Sequence, residues 1–172
     1  MDYPKSVTLI EVGARDGLQN ESTFVETQQK IEFINLLSTS GLRHIEVTSF
    51  VSQKAIPQLA DNEKVFRGIL KNPSVHYSAL IPNEKGMLEA IDAGVKEIGV
   101  FTAASESFNQ RNIHCSIDQS IERIALVMKR ANEYDIRVRG YVSCALGCPY
   151  EGEISPQAVL KVGQSLLDLG RS

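Results

Sequence analysis

The sequence contains few cysteines, no long apolar run and no excess of positive charge, and each absence excludes a class of protein. The 172 residues carry a formal net charge of -3 without a cluster of Lys and Arg, so we expect no nucleic-acid partner. No apolar run approaches the roughly 20 residues of a membrane-spanning helix, so we expect no membrane partner. The first five residues lack the apolar stretch of a signal peptide, and the expected location is the cytoplasm.

The cysteines are Cys115, Cys144 and Cys148, an odd number that is too small for a disulfide framework. Cys144 and Cys148 lack the C-x-x-C spacing of a redox or zinc pair, which favours reduced thiols in a reducing compartment. A buried cysteine usually acts as a small apolar residue, and no base adjoins either one in the sequence. A structural role is therefore favoured over a catalytic one.

The remaining composition, 42% hydrophobic and 23% charged, is typical of a globular protein, and the chain alternates strand patterns with helix patterns. The predicted strands are residues 7–12, 45–50, 76–81, 97–102 and 137–143. The predicted helices are residues 25–40, 62–71, 83–94, 116–134 and 155–170, with residues 103–115 as a long polar loop.

Five strand–helix units without a linker predict a parallel sheet, either a barrel or a doubly wound sheet. No Gly-x-Gly-x-x-Gly motif follows the first strand, which argues against a dinucleotide-binding sheet. We therefore expect residues 1–172 to form a single partial domain of the TIM-barrel α/β type, with about five of the eight βα units. Unpaired outer edges and an exposed apolar interior would make the chain aggregation-prone or oligomeric through its open sheet edges.

Arg15 and Asp16 follow the first predicted strand and are the first candidate site residues. Asp16 is a hard oxygen ligand suited to a divalent cation, and Arg15 could hold a substrate carbonyl and stabilise an oxyanion on it. The alternative is a salt bridge that ties the loop to the barrel. The polar residues that follow, Gln19 among them, favour a site over a turn.

Glu11 and Glu46 each interrupt an apolar strand, where a carboxylate is costly unless it is paired or bound to a metal. Glu46 lies nearer the carboxyl end of its strand, so it can reach the site of Asp16. The alternative is that these acids pair with Arg137 and Arg139 inside the barrel.

Arg111 and Asn112 lie in the predicted loop 103–115. Long loops after barrel strands often bind ligands, and these two side chains could contact phosphate on a large substrate. A solvated surface loop is the alternative interpretation.

Four segments, residues 13–21, 45–52, 104–106 and 139–152, resemble motifs of the 3-hydroxy-3-methylglutaryl-CoA lyases, in the same order. The resemblance extends along essentially the whole chain and implies a metal-dependent TIM-barrel lyase. Such an enzyme cleaves its acyl-CoA substrate to acetyl-CoA and acetoacetate with Mg or Mn, in leucine degradation and ketone body formation. It also implies that Asp16 is a metal ligand, that Arg15 contacts the thioester oxygen and stabilises the enolate, and that Glu46 is an active-site acid beside Ser49.

The family's other metal ligands, a His-x-His pair and an asparagine, and its catalytic cysteine have no counterpart here, and that cysteine's role is not transferred to Cys148. The chain is therefore expected to be a fragment of a larger lyase, a truncated product or a half that must associate. Two alternatives to the lyase remain. One is a related acyl-CoA condensing enzyme or 2-oxo acid aldolase, and the other is a non-catalytic remnant.

Overall fold

Four parallel strands, hydrogen-bonded in chain order, form the sheet in the computed structural model, which describes residues 4–170. The strands are β1 (His44–Ser49), β2 (His76–Leu80), β3 (Glu97–Ala103) and β4 (Arg137–Ser143). The helices are α1 (Thr27–Leu37), α2 (Asn62–Gly68), α3 (Glu84–Asp92), α4 (Glu106–Ile113), α5 (Ile117–Glu133) and α6 (Pro156–Leu169). A π-helical turn covers Gly13–Gly17, and a 3-10 turn covers Pro57–Leu59. Because every strand is followed by a helix and pairs in parallel with the next strand, the chain is a partial (β/α) barrel.

The predicted first strand was wrong, because residues 7–12 make a single bridge rather than a ladder within the described part of the chain. Glu11 bridges Ile45 in parallel, through Glu11 N to His44 O at 2.9 Å and Glu46 N to Glu11 O at 2.8 Å. Val7 and Leu9 remain 77% and 74% exposed, so their alternation covers no core. The bridge still delivers the following residues to the carboxyl end of β1.

The predicted loop 103–115 was also wrong, because it contains α4. Ser105 caps this helix by accepting a hydrogen bond from Phe108 N at 3.0 Å, and the helix ends at Ile113, before His114, which has a left-handed φ of 53°. The helix is polar nearly all round, so it lacks the apolar stripe that identified the others. The other predicted helices and strands are confirmed, with ends that differ by at most three residues.

One face of the sheet packs on the helices and holds the apolar core, with Ile45, Val47, Ala79, Ile98 and Val100 from the strands. The opposite face, which we call the inner face, carries Glu46, Glu97, Gly99, Arg137, Arg139 and Tyr141. The expectation of an apolar interior was therefore wrong. The period of two along β1, β3 and β4 puts the charged residues on the inner face and the aliphatic ones on the helix side.

No helix within residues 4–170 is both long enough and apolar enough to span a membrane.

Candidate active site

The candidate site is built on the π-helical turn that follows the Glu11 bridge. Arg15 N and Asp16 N both donate to Val12 O, at 3.0 and 2.7 Å. At the start of the turn the Glu11 carboxylate accepts from Gly13 N at 2.5 Å, and at its end Asn20 Nδ2 donates to Asp16 O at 2.8 Å. These two polar side chains fix the turn, which therefore presents adjacent cationic and anionic side chains at the carboxyl end of β1.

Glu46 is the buried centre of the site and is fully excluded from solvent. Arg15 Nε donates to Glu46 Oε1 at 2.7 Å, and the Tyr141 hydroxyl donates to Glu46 Oε2 at 3.0 Å. Both carboxylate oxygens are thus satisfied, which is what allows a charge to be buried in a parallel sheet. The Arg15 side chain is 15% exposed. Its Nε edge is therefore buried against Glu46, while the rest of the guanidinium reaches the surface.

Tyr141 joins β4 to this centre. The pKa of Tyr141 is raised, first by burial and then by the negative charge of Glu46, so the phenol remains protonated at neutral pH and donates to the carboxylate. Gly99 on β3 leaves room for this contact, because a Cβ there would lie 2.8 Å from Tyr141 Cε2 and 3.2 Å from Glu46 Oε2. Sequence reasoning missed both residues. The signal for Tyr141 was its place two residues after Arg139, on the same face of a strand.

Asp16 lies at the solvent side of the site, with its side chain 56% exposed, and its Oδ1 accepts from Arg15 Nη1 at 2.6 Å. A hard divalent cation takes six or more oxygen ligands. Among residues 4–170 no three His, Cys, Asp or Glu side chains are grouped so that they could hold a metal ion. Asp16 therefore fits as a single ligand of such a site, and the described residues do not fit a whole one.

The arginines on β4 pair elsewhere. Arg139 Nη2 lies 2.7 Å from Glu97 Oε1, and Arg137 Nη2 lies 3.0 Å from Glu97 Oε2. Both arginines therefore form ion pairs with Glu97, and not with Glu11 or Glu46 as the alternative interpretation of the sequence had it. The alternative interpretation of those two acids as partners of Arg137 and Arg139 was wrong, because each has other partners.

The remaining candidate residues lie in different places. Gln19 is half-buried just after the π-helical turn. Ser49 is buried at the end of β1, where its hydroxyl donates to Leu80 O at 3.1 Å. Arg111 and Asn112 are exposed on α4, and the Arg111 guanidinium lies 4.2 Å from the centre of the Tyr150 ring. The structure therefore brings together Arg15, Asp16 and Glu46, with Gln19 nearby, and it places Arg111 on an aromatic ring.

The chain matches the family model described as HMGL-like over residues 6–172. A Pseudomonas aeruginosa protein named 3-hydroxy-3-isohexenylglutaryl-CoA/hydroxy-methylglutaryl-CoA lyase is 52% identical over 99% of this chain and 57% of its own length. Mammalian lyases named as mitochondrial and as cytoplasmic also match, and the cytoplasmic one from Mus musculus is 55% identical over 97% of this chain and 49% of its own length. The chain thus spans about half the length of the curated relatives it matches.

The fold agrees with solved structures of the same kind. A hydroxymethylglutaryl-CoA lyase from Pseudomonas aeruginosa superposes with a TM-score of 0.93 at 52% identity, over 99% of this chain and 57% of that one. A lyase structure from "Acenitobacter baumannii", in complex with coenzyme A and 3-methylmalate, gives a TM-score of 0.91 at 40% identity over 95% and 53% of the two chains.

Proposed function

The chain belongs to the HMGL-like family, and from this premise we propose that it supplies the Arg15–Asp16–Glu46 part of the active site of a hydroxymethylglutaryl-CoA lyase. The reaction is the cleavage of 3-hydroxy-3-methylglutaryl-CoA to acetyl-CoA and acetoacetate. In this retro-Claisen step the tertiary hydroxyl loses its proton, the adjacent carbon–carbon bond breaks, and its electron pair becomes the enolate of acetyl-CoA. That enolate is then protonated to give the thioester product.

The observation that carries the proposal is the anchoring of Arg15. Its Nε is held by the fully buried Glu46 and its Nη1 by Asp16, so the guanidinium is fixed before any substrate arrives. A fixed cation at the carboxyl end of a parallel strand is suited to the thioester oxygen, where negative charge develops as the enolate forms. Glu46 and Tyr141 act on this step by orienting Arg15, because both oxygens of Glu46 are occupied by Arg15 and Tyr141.

The HMGL-like family is in general dependent on a divalent metal. Asp16 is the residue of this chain that would contribute a carboxylate to Mg or Mn, and the cation would polarise the substrate oxygens when bound. The acyl-CoA substrate is supported by the related structure that contains coenzyme A. Gln19, Ser49, Arg111 and Asn112 remain predicted substrate contacts, and the Arg111 guanidinium, stacked on the Tyr150 ring, keeps its in-plane N–H donors for a phosphate.

Two measurements test the proposal. Because Asp16 is a single ligand, we expect Mn titration of the chain, followed by water-proton relaxation, to show only weak binding, which Asp16→Asn removes and Asp92→Asn leaves unchanged. Asp92 is a matched control because its carboxylate is 78% exposed and pairs with Arg67, away from the turn. Metal binding that does not depend on Asp16 would contradict the metal-ligand assignment and favour the non-catalytic remnant.

The second measurement is turnover of the thioester with Mg by a full-length protein that includes this chain, with acetoacetate as the detected product. Release of acetoacetate that Arg15→Gln lowers about 10³-fold supports the lyase. Cleavage of a 2-oxo acid in preference to the thioester would favour the related aldolase instead, and an Arg15→Gln variant with unchanged turnover would contradict the role of Arg15.

The assignment of residues 1–172 to one partial barrel domain, the cytoplasmic location and association through the open sheet edges remain proposals. A single cooperative unfolding transition would support the assignment to one domain, and sedimentation velocity tests the association through the sheet edges. The matched relatives include both cytoplasmic and mitochondrial forms, so cell fractionation is the test of location.

A further inference from the structure

A cavity of about 250 Å³ lies at the amino-terminal end of the sheet, where β2, β3 and β4 begin. Its lining includes the first residues of these strands, His76, Glu97 and Arg137. It also includes Lys71 and Lys96, from the segments just before β2 and β3. The candidate active site lies at the opposite, carboxyl-terminal end of the strands, so the cavity is a separate feature of the fold.

Glu97 is the acidic residue of the cavity, and its charge is already satisfied. Its Oε1 lies 2.7 Å from Arg139 Nη2, and its Oε2 lies 3.0 Å from Arg137 Nη2. Arg137 Nη2 also lies 2.8 Å from His76 Nδ1. Because a guanidinium only donates, Nδ1 accepts, and the proton of the neutral imidazole is therefore on Nε2. Neither the Glu97 carboxylate nor the acceptor nitrogen of His76 is left for a ligand.

The neutral polar side chains of the cavity are occupied as well. Asn72 Oδ1 accepts from Ser74 N at 2.9 Å, and Asn72 Nδ2 donates to Ser38 O at 3.0 Å. The Tyr77 hydroxyl accepts from Asn72 N and donates to Ser38 Oγ, both at 2.9 Å. These bonds fix the segment before β2, and they leave no neutral acceptor side chain unused on this wall.

The polar groups that remain are cationic donors. Within residues 4–170 neither Lys71 nor Lys96 forms an ion pair, and Lys71 Nζ lies 4.7 Å from the centre of the Phe66 ring. The cavity thus has three formal positive charges, on Lys71, Lys96 and Arg137, against the one negative charge of Glu97. The chain as a whole has a formal net charge of -3, so this excess is local. Unused cationic donors around satisfied acceptors favour an anion.

The rest of the lining determines what kind of anion fits. Phe66, Pro73 and Val75 also line the cavity, and Phe66 and Val75 are buried, with 1% and 8% of their surface exposed. These side chains form an apolar wall beside the cationic groups. A phosphate monoester has a charge of about -1.5 to -2 near neutral pH, which matches the local excess, and its organic group can cover apolar surface.

We propose that this cavity is a binding site for a small phosphate monoester, which pairs its phosphate with Lys71 and Lys96 and packs its organic group on the apolar wall. Barrel enzymes carry out their chemistry at the carboxyl ends of the strands, so a ligand at the amino ends is not a substrate of the lyase site. The cavity shares no residue with Arg15, Asp16 and Glu46, so its failure and that of the proposed lyase site are distinguishable.

The test is NMR of the three histidine imidazoles while the folded chain is titrated with phenyl phosphate at constant ionic strength. A pH of about 8 keeps the imidazoles neutral, so their shifts report contact and not protonation. We expect the His76 resonances to move and to saturate, with a dissociation constant on the order of 1 mM. His114 is the internal control, because it follows α4 and does not line the cavity, and its resonances should not move.

Inorganic phosphate is the second probe, and it separates a monoester site from a site for the free ion. Without an organic group to pack on Phe66, inorganic phosphate should bind about fivefold more weakly than phenyl phosphate. Inorganic phosphate that binds as tightly as phenyl phosphate would overturn the assignment to a monoester.

Lysine variants test the cationic groups. Lys71→Gln and Lys96→Gln should each weaken the binding of phenyl phosphate about tenfold, because each removes one charged donor. Lys161→Gln is the matched control, since it removes the same charge from an exposed position on α6 and should leave the affinity unchanged. Lys71 and Lys96 are exposed, so we expect all three variants to fold, and thermal melts check this.

Three results would overturn the proposal. The first is a His76 shift that does not saturate, the second is an equal shift of His114, and the third is equal affinity of Lys96→Gln and Lys161→Gln for phenyl phosphate.

Discussion

Gly99 and Tyr141 are matched in shape across the β3–β4 ladder, where the ring of Tyr141 occupies the space that a side chain at position 99 would take. A Cβ on Gly99 would lie 2.8 Å from Tyr141 Cε2, closer than such contacts allow, and 3.2 Å from Leu80 Cδ1. The tyrosine hydroxyl reaches Glu46 because this space is open. A glycine in the middle of a buried strand therefore supports the site without touching substrate.

The first prediction follows from this contact. We expect Gly99→Ala to lower the free energy of unfolding by about 2 kcal/mol, because the methyl group displaces the Tyr141 ring. Gly163→Ala is the matched control, since nothing lies within 4 Å of its added Cβ in the interior of α6, and it should gain about 0.5–1 kcal/mol. Urea unfolding of both variants measures the difference, and equal effects would show that the space at position 99 is not limiting.

Replacement of Glu46 tests the buried ion pair. We expect Glu46→Gln to destabilise the fold by about 3 kcal/mol, because the buried edge of Arg15 loses its charged partner and the Tyr141 hydroxyl loses a carboxylate acceptor. Glu63→Gln removes an exposed pair with Arg67, in which the Glu63 side chain is 55% exposed, and should cost less than about 1 kcal/mol. Chemical denaturation compares them, and a Glu46→Gln variant as stable as Glu63→Gln would contradict the burial of a charge at position 46.

The raised pKa of Tyr141 predicts that the folded chain loses stability at alkaline pH. Burial and the charge of Glu46 raise the pKa of Tyr141 in the folded chain, so above about pH 10 the unfolded chain releases a proton that the folded chain retains. Stability should therefore fall as the pH rises above about 10, and Tyr141→Phe should remove that part of the slope. The measurement is the free energy of unfolding at about pH 9 and about pH 11. Tyr134→Phe is the control, because Tyr134 is 50% exposed, and its slope should match that of the wild type.

Lys30 is a buried cation outside the site and gives a fourth prediction. It is 2% exposed and holds Asp61 at 2.7 Å, and it also donates to Gln58 O. Lys30→Ala should cost about 3 kcal/mol, because the Asp61 carboxylate, whose side chain is only 10% exposed, would lose its cation. Lys85→Ala, at a side chain 87% exposed and 4.0 Å from Glu89, should change stability by less than about 0.5 kcal/mol. Thermal melts of the two variants should therefore separate clearly.

The sequence predicted most helices and strands because apolar periodicity reports which face of an element is covered. It failed at residues 7–12 because alternation of apolar and polar residues does not show whether a neighbouring strand pairs along the whole segment. Val7 and Leu9 are in fact largely exposed to solvent. It failed at α4 because that helix is held by Ser105 and by polar contacts rather than by an apolar stripe.

The meeting of Arg15 with Glu46, 31 residues apart, was foreseeable because the carboxyl ends of parallel strands share one edge. The third member, Tyr141, lies 95 residues beyond Glu46, and its contact depends on the register of β3 with β4 and on the absence of a side chain at position 99. Register of this kind is a property of the assembled sheet, so no local pattern in the sequence reports it.

The charged inner face has a consequence for how the sheet meets water. Glu97 pairs with both Arg137 and Arg139 from the adjoining strand, so its buried negative charge is satisfied within two neighbouring strands. On its other face, the sheet packs apolar side chains against the helices. Water on the ionic side therefore leaves the apolar packing between strands and helices in place.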